Sequence, residues 1–156
     1  MKRTMLMVAS ASVLWLLTSA TAGAQPMTWG TSGGWGPDGH YTQLYDKSTV
    51  ETVTGRVVSV DEVTPVSTST RGVRLMVTTP QEQLSVMLGP SWFVANQDAR
   101  IEPGETVQVT GSRVVIEGRP MIIAREVTKG DMVMRLRESD GRPLWGAWSR
   151  RQPSSR

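Results

Sequence analysis

The sequence predicts an all-β domain, a small barrel of five strands plugged by one short helix. Three observations point there. Apolar and polar residues alternate with a period of two through five separate stretches, the mark of half-buried strands. Turn chemistry separates these stretches: Pro65 with a run of Ser and Thr, Thr79-Pro80-Gln81-Glu82, Pro103-Gly104 and Glu117-Gly118. One stretch breaks the pattern. Gly89-Pro90 ends a strand, and Ser91-Trp92-Phe93-Val94-Ala95-Asn96-Gln97 suits a short helix with Ser91 as its N-cap.

The 156 residues suffice for one domain after an export leader. Lys2 and Arg3 open the chain, Met5 to Leu17 is apolar, and Ala22-Gly23-Ala24 supplies small residues for cleavage. This predicts a signal peptide over residues 1–24, cut between Ala24 and Gln25, and a periplasmic mature protein. The apolar run is shorter than the ~20 residues that span a bilayer, which argues against an anchor. No second hydrophobic stretch follows in the mature chain. The whole chain carries 17 basic and 14 acidic side chains, a formal charge of +3. Losing Lys2 and Arg3 leaves the mature part near +1, without the basic field that polyanion binders show. There is no cysteine, so disulfides, thiolate metal sites and cysteine nucleophiles are excluded. A single histidine excludes a multi-histidine metal cage.

Residues 25–47 read as an irregular Gly- and Trp-rich arm, with Trp29, Trp35, Tyr41 and Tyr45 spaced through it for docking on the barrel. Met27, Asp38 and His40 form the one candidate metal set, suited to a soft or borderline ion; Met132 and Met134 could add thioethers. The first strand runs from Ser48-Thr49 to Val63. Gly55 is expected to bend or bulge it, so that it serves both sides of the barrel. In the second and third strands Val73, Leu75, Val77, Leu84, Val86 and Leu88 share the core face, leaving Arg74, Met76, Ser85 and Met87 on the other. Thr106 to Ile116 makes the fourth strand and Met121 to Val127 the fifth, with the adjacent Ile122 and Ile123 marking a bulge or a wholly buried stretch. Residues 130–148 are expected to add a C-terminal hairpin turning at Ser139-Asp140-Gly141-Arg142, and residues 149–156 a disordered basic tail.

Five strands with a helix between the third and fourth is the order of the OB-fold; in an SH3-like barrel, the alternative, the helical turn comes just before the last strand. The stretches Val50 to Val58, Leu88-Gly89-Pro90-Ser91-Trp92-Phe93 and Pro103 to Ser112 resemble those of small secreted bacterial OB-fold proteins. The pattern Gly-Glu-x-Val-x-Val-x-Gly is similar to the fourth strand of the periplasmic bacterial OB-fold family. The chain also resembles small β proteins associated with magnetosome formation. The resemblance spans roughly Val50 to Lys129 and implies an OB fold and an envelope location.

No catalytic constellation is visible. Asp61 and Glu62 are adjacent in a strand and point to opposite faces, and Ser91 lacks the Gly-x-Ser-x-Gly elbow. No cofactor is expected. Single-strand nucleic-acid binding needs stacking aromatics on the second and third strands, which have none. The expected function is a non-catalytic secreted binding module for an unidentified protein or small ligand of the cell envelope. Its candidate site is Arg71, Arg74, Met76, Ser85, Met87 and Trp92, because OB barrels bind on the outer face of strands two and three. The alternative is an envelope metal-handling or biomineralisation-associated accessory protein.

Overall fold

The computed structural model describes residues 33–65 and 68–148. The expected leader (1–24), Met27, Trp29 and the expected tail (149–156) lie outside the described residues. Six strands follow in order: β1 (Val50–Val63), β2 (Gly72–Thr78), β3 (Gln83–Pro90), β4 (Thr106–Ile116), β5 (Arg119–Lys129) and β6 (Met132–Arg135). The sheet order is β3-β2-β1-β4-β5-β6, and a further parallel pairing of β3 with β5 closes the first five strands into a barrel. This is the OB-like architecture that the strand order predicted.

β1 makes closure possible. Its first half, Val50 to Arg56, pairs with β4, and its second half, Arg56 to Val63, pairs with β2. Gly55 sits at the switch, where a Cβ would lie 2.6 Å from the Thr78 carbonyl. So Gly55 permits a close crossing. The bulge expected there falls instead at Val58, between Val57 and Ser59 of the β1–β2 register. Ile122 and Ile123 are both fully buried, and the bulge of β5 lies just beyond them at Arg125, where the register jumps from Ala124 to Glu126. β4 and β5 are joined by Glu117 and Gly118, both at positive φ (52° and 74°), the geometry of a two-residue hairpin turn that matches strand twist. Leu75, Val77, Leu84, Val86, Leu88, Val107, Val109 and Val127 fill the interior.

Three local expectations are corrected. Gly89-Pro90 does not break β3: both residues continue it, and only then does helix α2 (Ser91–Val94) begin, shorter than expected. Pro90, not Ser91, takes the N-cap position, and the Ser91 hydroxyl has no hydrogen-bond partner among the described residues. The second arm of the C-terminal hairpin is reduced to one bridge, Arg137 with Pro143, before helix α3 (Trp145–Trp148). Pro143 has no N–H with which to extend a ladder.

The arm before β1 is also less irregular than its sequence suggested. It contains helix α1 (His40–Leu44) and a 3-10 turn (Lys47–Thr49). The turn is capped by Asp46, whose carboxylate accepts from the Ser48 N–H at 2.8 Å. Among the described residues no helix is long and apolar enough to cross a membrane.

Candidate binding site

The two barrel surfaces that could serve a ligand have opposite characters. The first is the outer face of β2 and β3. Register places Arg74 opposite Met87 and Met76 opposite Ser85, so the four residues named from sequence do come together. They are not open as a set. Met87 is 2% exposed, and Arg74, Met76 and Ser85 are half-buried. The expectation of an exposed Met87 is therefore overturned: β3 pairs with β5 at this residue, and two straps, one on each side of the barrel sequence, pack nearby on Gly72 and Gly89.

The first strap, residues 33–49, lays Trp35 over Gly72, where any Cβ would collide with the indole. The second, residues 136–148, lays Trp145 over Gly89, where a Cβ would lie 2.7 Å from the ring. The two tryptophans are joined. Trp145 Nε1 donates to the Trp35 carbonyl at 2.6 Å, and Trp35 Nε1 donates to the Thr70 carbonyl at 3.1 Å. Tyr41 stacks on Trp35 with ring centroids 5.2 Å apart, and Phe93 of α2 meets Trp145 at 5.3 Å. Both indoles are at most 2% exposed.

Beneath Trp145 lies Arg137, its guanidinium 4.9 Å from the ring centroid. Its Nη1 donates to the Leu88 carbonyl at 2.9 Å and also to the Ala124 carbonyl. Those two carbonyls follow the last parallel pair of β3 and β5, Met87 with Ile123, so Arg137 ties the barrel seam where its ladder ends. Among the described residues no carboxylate pairs with Arg137. Burial pulls its pKa down to about 9, and it stays charged at neutral pH. Burial also raises the phenols of Tyr41 and Tyr45, against the pull of nearby arginines. Sequence reading missed Arg137 because it alternates with Val133 and Arg135, which are exposed. The strand ends at Arg135, and the phase ends with it.

The second surface is the mouth of the barrel. β4 leaves β1 after two last ties, Val57 N–H to the Glu105 carbonyl (2.8 Å) and Gly104 N–H to the Val57 carbonyl (2.7 Å). Beyond them Val60 is opposite Leu75 and Glu62 is opposite Val73 across the β1–β2 register, so both lie on the inner side of β1 at the end of the barrel, where they stay partly open to solvent. The result is a cleft of about 280 Å³. Its floor is Val73, Leu75, Leu88 and Met134, and its walls are Val60, Val94 of α2 and Ile101. Val60 is 37% exposed although it faces the inside. Ser91 lines it too, although its partnerless hydroxyl is shielded from solvent. The rim holds Glu62, paired with Arg71 at 3.2 Å, together with Arg100 and Glu102. Lys129 fixes the rim loop by donating to the Arg100 carbonyl and to Glu105 at 3.1 Å. The Glu105 carboxyl is held below its ordinary value, first by the Glu102 N–H and then by Lys129.

The remaining sequence candidates scatter. Arg71 is spent on Glu62 at the rim of the mouth. Trp92 is 42% exposed on α2, edge-on to Phe93 at 5.9 Å. Asp38 and His40 are exposed at the start of the first strap, while Met27 lies outside the described residues. Met134, offered as a thioether, is buried as part of the cleft floor, because β6 pairs it with Val127 on the core side. Among the described residues no three His, Cys, Asp or Glu side chains gather to hold a metal ion.

Comparison with known families separates barrel from straps. The model of the MamS/MamX magnetosome protein family matches residues 49–134, more than half of the chain. The chain belongs to that family. The match begins one residue before β1 and ends within β6, so it takes in the barrel and the mouth cleft. Trp35, Arg137 and Trp145 fall outside it. A comparison with curated proteins found no match. The magnetosome likeness visible in the sequence is thus a family membership. Of the resemblance to the periplasmic bacterial OB-fold family, only the OB-like barrel architecture is shown.

Proposed function

We propose that this member of the magnetosome family is a non-catalytic accessory protein of biomineralisation, an exported module that binds a protein or small ligand of the cell envelope through its barrel mouth. One observation carries the choice of surface. The mouth leaves Val60, Val94 and Ile101 partly exposed around a cleft, whereas Met87 on the outer face of β2 and β3 is buried and Trp35 packs on Gly72. Exposed apolar surface set in a concave site is the ordinary starting point for ligand binding. The leader-like start of the chain supports export. A non-catalytic role is supported by the cleft chemistry. Its one hydroxyl, Ser91, has no base in hydrogen-bond reach, and the single histidine is exposed on α1.

A photo-crosslinking residue placed at Val60 or Ala95, and separately at Ser85, tests the reading in magnetosome-forming cells. Adducts from Val60 and Ala95 are expected, with a mature N-terminus at Gln25. Adducts from Ser85 alone would return the function to the outer face of β2 and β3.

A further inference from the structure

Resting on the mouth as the binding site, we propose that its ligand is an extended peptide, which adds as a strand to the open edge of β1 and places alternate aliphatic side chains in the cleft. The edge is open because β4 begins too late to cover it. β1 pairs with β4 only up to Arg56, and the bonds of Val57 to Gly104 and Glu105 are the last on that side. Residues 59–63 continue to pair with β2. Among the described residues no main-chain group bonds them on the other side. In an antiparallel ladder alternate residues turn their N–H and C=O away from the partner strand, so this stretch presents unpaired main-chain groups.

The loop before β4 is drawn off. The Pro103-Gly104 turn ends the ladder, with Gly104 at φ 90°, and Pro103 has no N–H to continue it. Further back, Lys129 of β5 holds the Arg100 carbonyl, and in the sheet order β5 lies beyond β4 from β1. What remains beside β1 is the cleft of about 280 Å³, lined by Val60 and Glu62 from β1 and by Ile101 from the loop.

Edge and cleft together set the chemistry. Strand addition takes affinity from main-chain bonds and specificity from sites for alternate side chains. On the inner side of β1, an added strand would set its side chains beside Val60 and Glu62, over Leu75 and Leu88. On the outer side it would set them beside Ser59 and Asp61, opposite Met76 and Arg74. The peptide is therefore aliphatic at every second residue and polar between. The volume lies at the lower bound of ligand cavities, ~300 to ~1,000 Å³, so the inward side chains are short and few. An inward charge is disfavoured. It would lose hydration against Val60 and Leu75, and Glu62 already has Arg71 as its counter-charge.

The test is a titration of the mature chain with acetyl-Thr-Val-Thr-Val-Thr-amide, read by amide hydrogen exchange and amide shifts. At saturation, exchange should slow at least about tenfold at alternate amides of residues 59–63, with shifts at Val60 and Ile101. N-methylation of one alternating set of the peptide's amides should weaken binding at least about tenfold, and of the other set less than about threefold, because only one set faces β1. Replacing both valines by serine should weaken it about tenfold or more. Val60→Lys, made at a partly exposed position, should do the same by setting a charge on the inner wall.

Equal weakening by the two methylated peptides, protection at β6, the last strand in the sheet order, instead of β1, or undiminished binding of the serine peptide would each overturn the proposal. Crosslinks at Val60 in cells without peptide binding would remove strand addition and leave the mouth reading standing. Protection of β1 by the peptide without crosslinks in cells would do the reverse.

Discussion

The outer face of β2 and β3 and the barrel mouth share two strands, yet one buries Met87 and the other leaves Val60 partly open. Glycines at 72 and 89 leave flat seats, and tryptophans from outside the barrel fill them, while Met87 of the outer face is buried. At the mouth, β1 outruns β4, and no element among the described residues covers Val60. The difference teaches that a surface used by a fold in general need not be the surface available in a given chain. Short extensions at either end of a barrel can consume it. The family match covers the barrel and most of β6 and leaves Trp35 and Trp145 outside it.

Breaking the seal on one side should show how much it holds. Trp145→Ala removes a fully buried indole, its bond to Trp35 and the roof over Arg137. A loss of about 3–5 kcal/mol in urea unfolding is expected, as for other buried Trp truncations. A loss below about 1 kcal/mol would mean that the strap is loosely seated.

Arg137 comes next. Arg137→Ala should cost about 3 kcal/mol, because it empties the space under Trp145 and frees the Leu88 and Ala124 carbonyls. Arg137→Met should cost distinctly less, since it keeps an apolar stem under the ring and removes an unpaired buried charge. Equal losses in the two variants, read from the same unfolding curves, would show that the cation itself is the clasp.

Gly89→Ala sharpens the comparison at a single carbon. The added Cβ would lie 2.7 Å from Trp145, and about 1–3 kcal/mol of destabilisation is expected from overpacking. The same change at Gly104, where nothing lies within 4 Å of the new carbon, meets no neighbour. Any cost there comes from its positive φ (90°) alone.

The smallest effect is electrostatic and belongs to the mouth. Glu105 has a folded pKa below its ordinary value, so it adds stability above the carboxylate range that is lost as pH falls through the folded pKa. Glu105→Gln should therefore lose less stability on acidification than the parent chain. Parallel acid titrations would contradict this if they coincide.

Much of the barrel was legible in the sequence, because each strand alternates and each turn carries Gly or Pro. The partner switch in β1 was foreseen from Gly55, although the bulge fell at Val58: pattern reveals where a strand must curl, whereas register decides which residue is squeezed out. The site was less legible. Met76 and Met87 share one face by period, but exposure depends on what packs above them, and Trp35 is separated from Met87 by the whole of β1 and β2. Ser91 reads as a cap by composition; Pro90 takes the cap position because β3 runs on to it. Such long-range cover leaves no periodic trace in the chain.

The chain has no cysteine, so single-cysteine variants give a clean view of both surfaces. The most direct measurement compares thiol-labelling rates of Val60→Cys and Met87→Cys under native conditions. A sealed outer face and an open mouth predict rapid labelling at position 60, and labelling at position 87 that waits for opening of the straps and is slower by orders of magnitude. Comparable rates at the two positions, in variants of equal stability, would contradict the account.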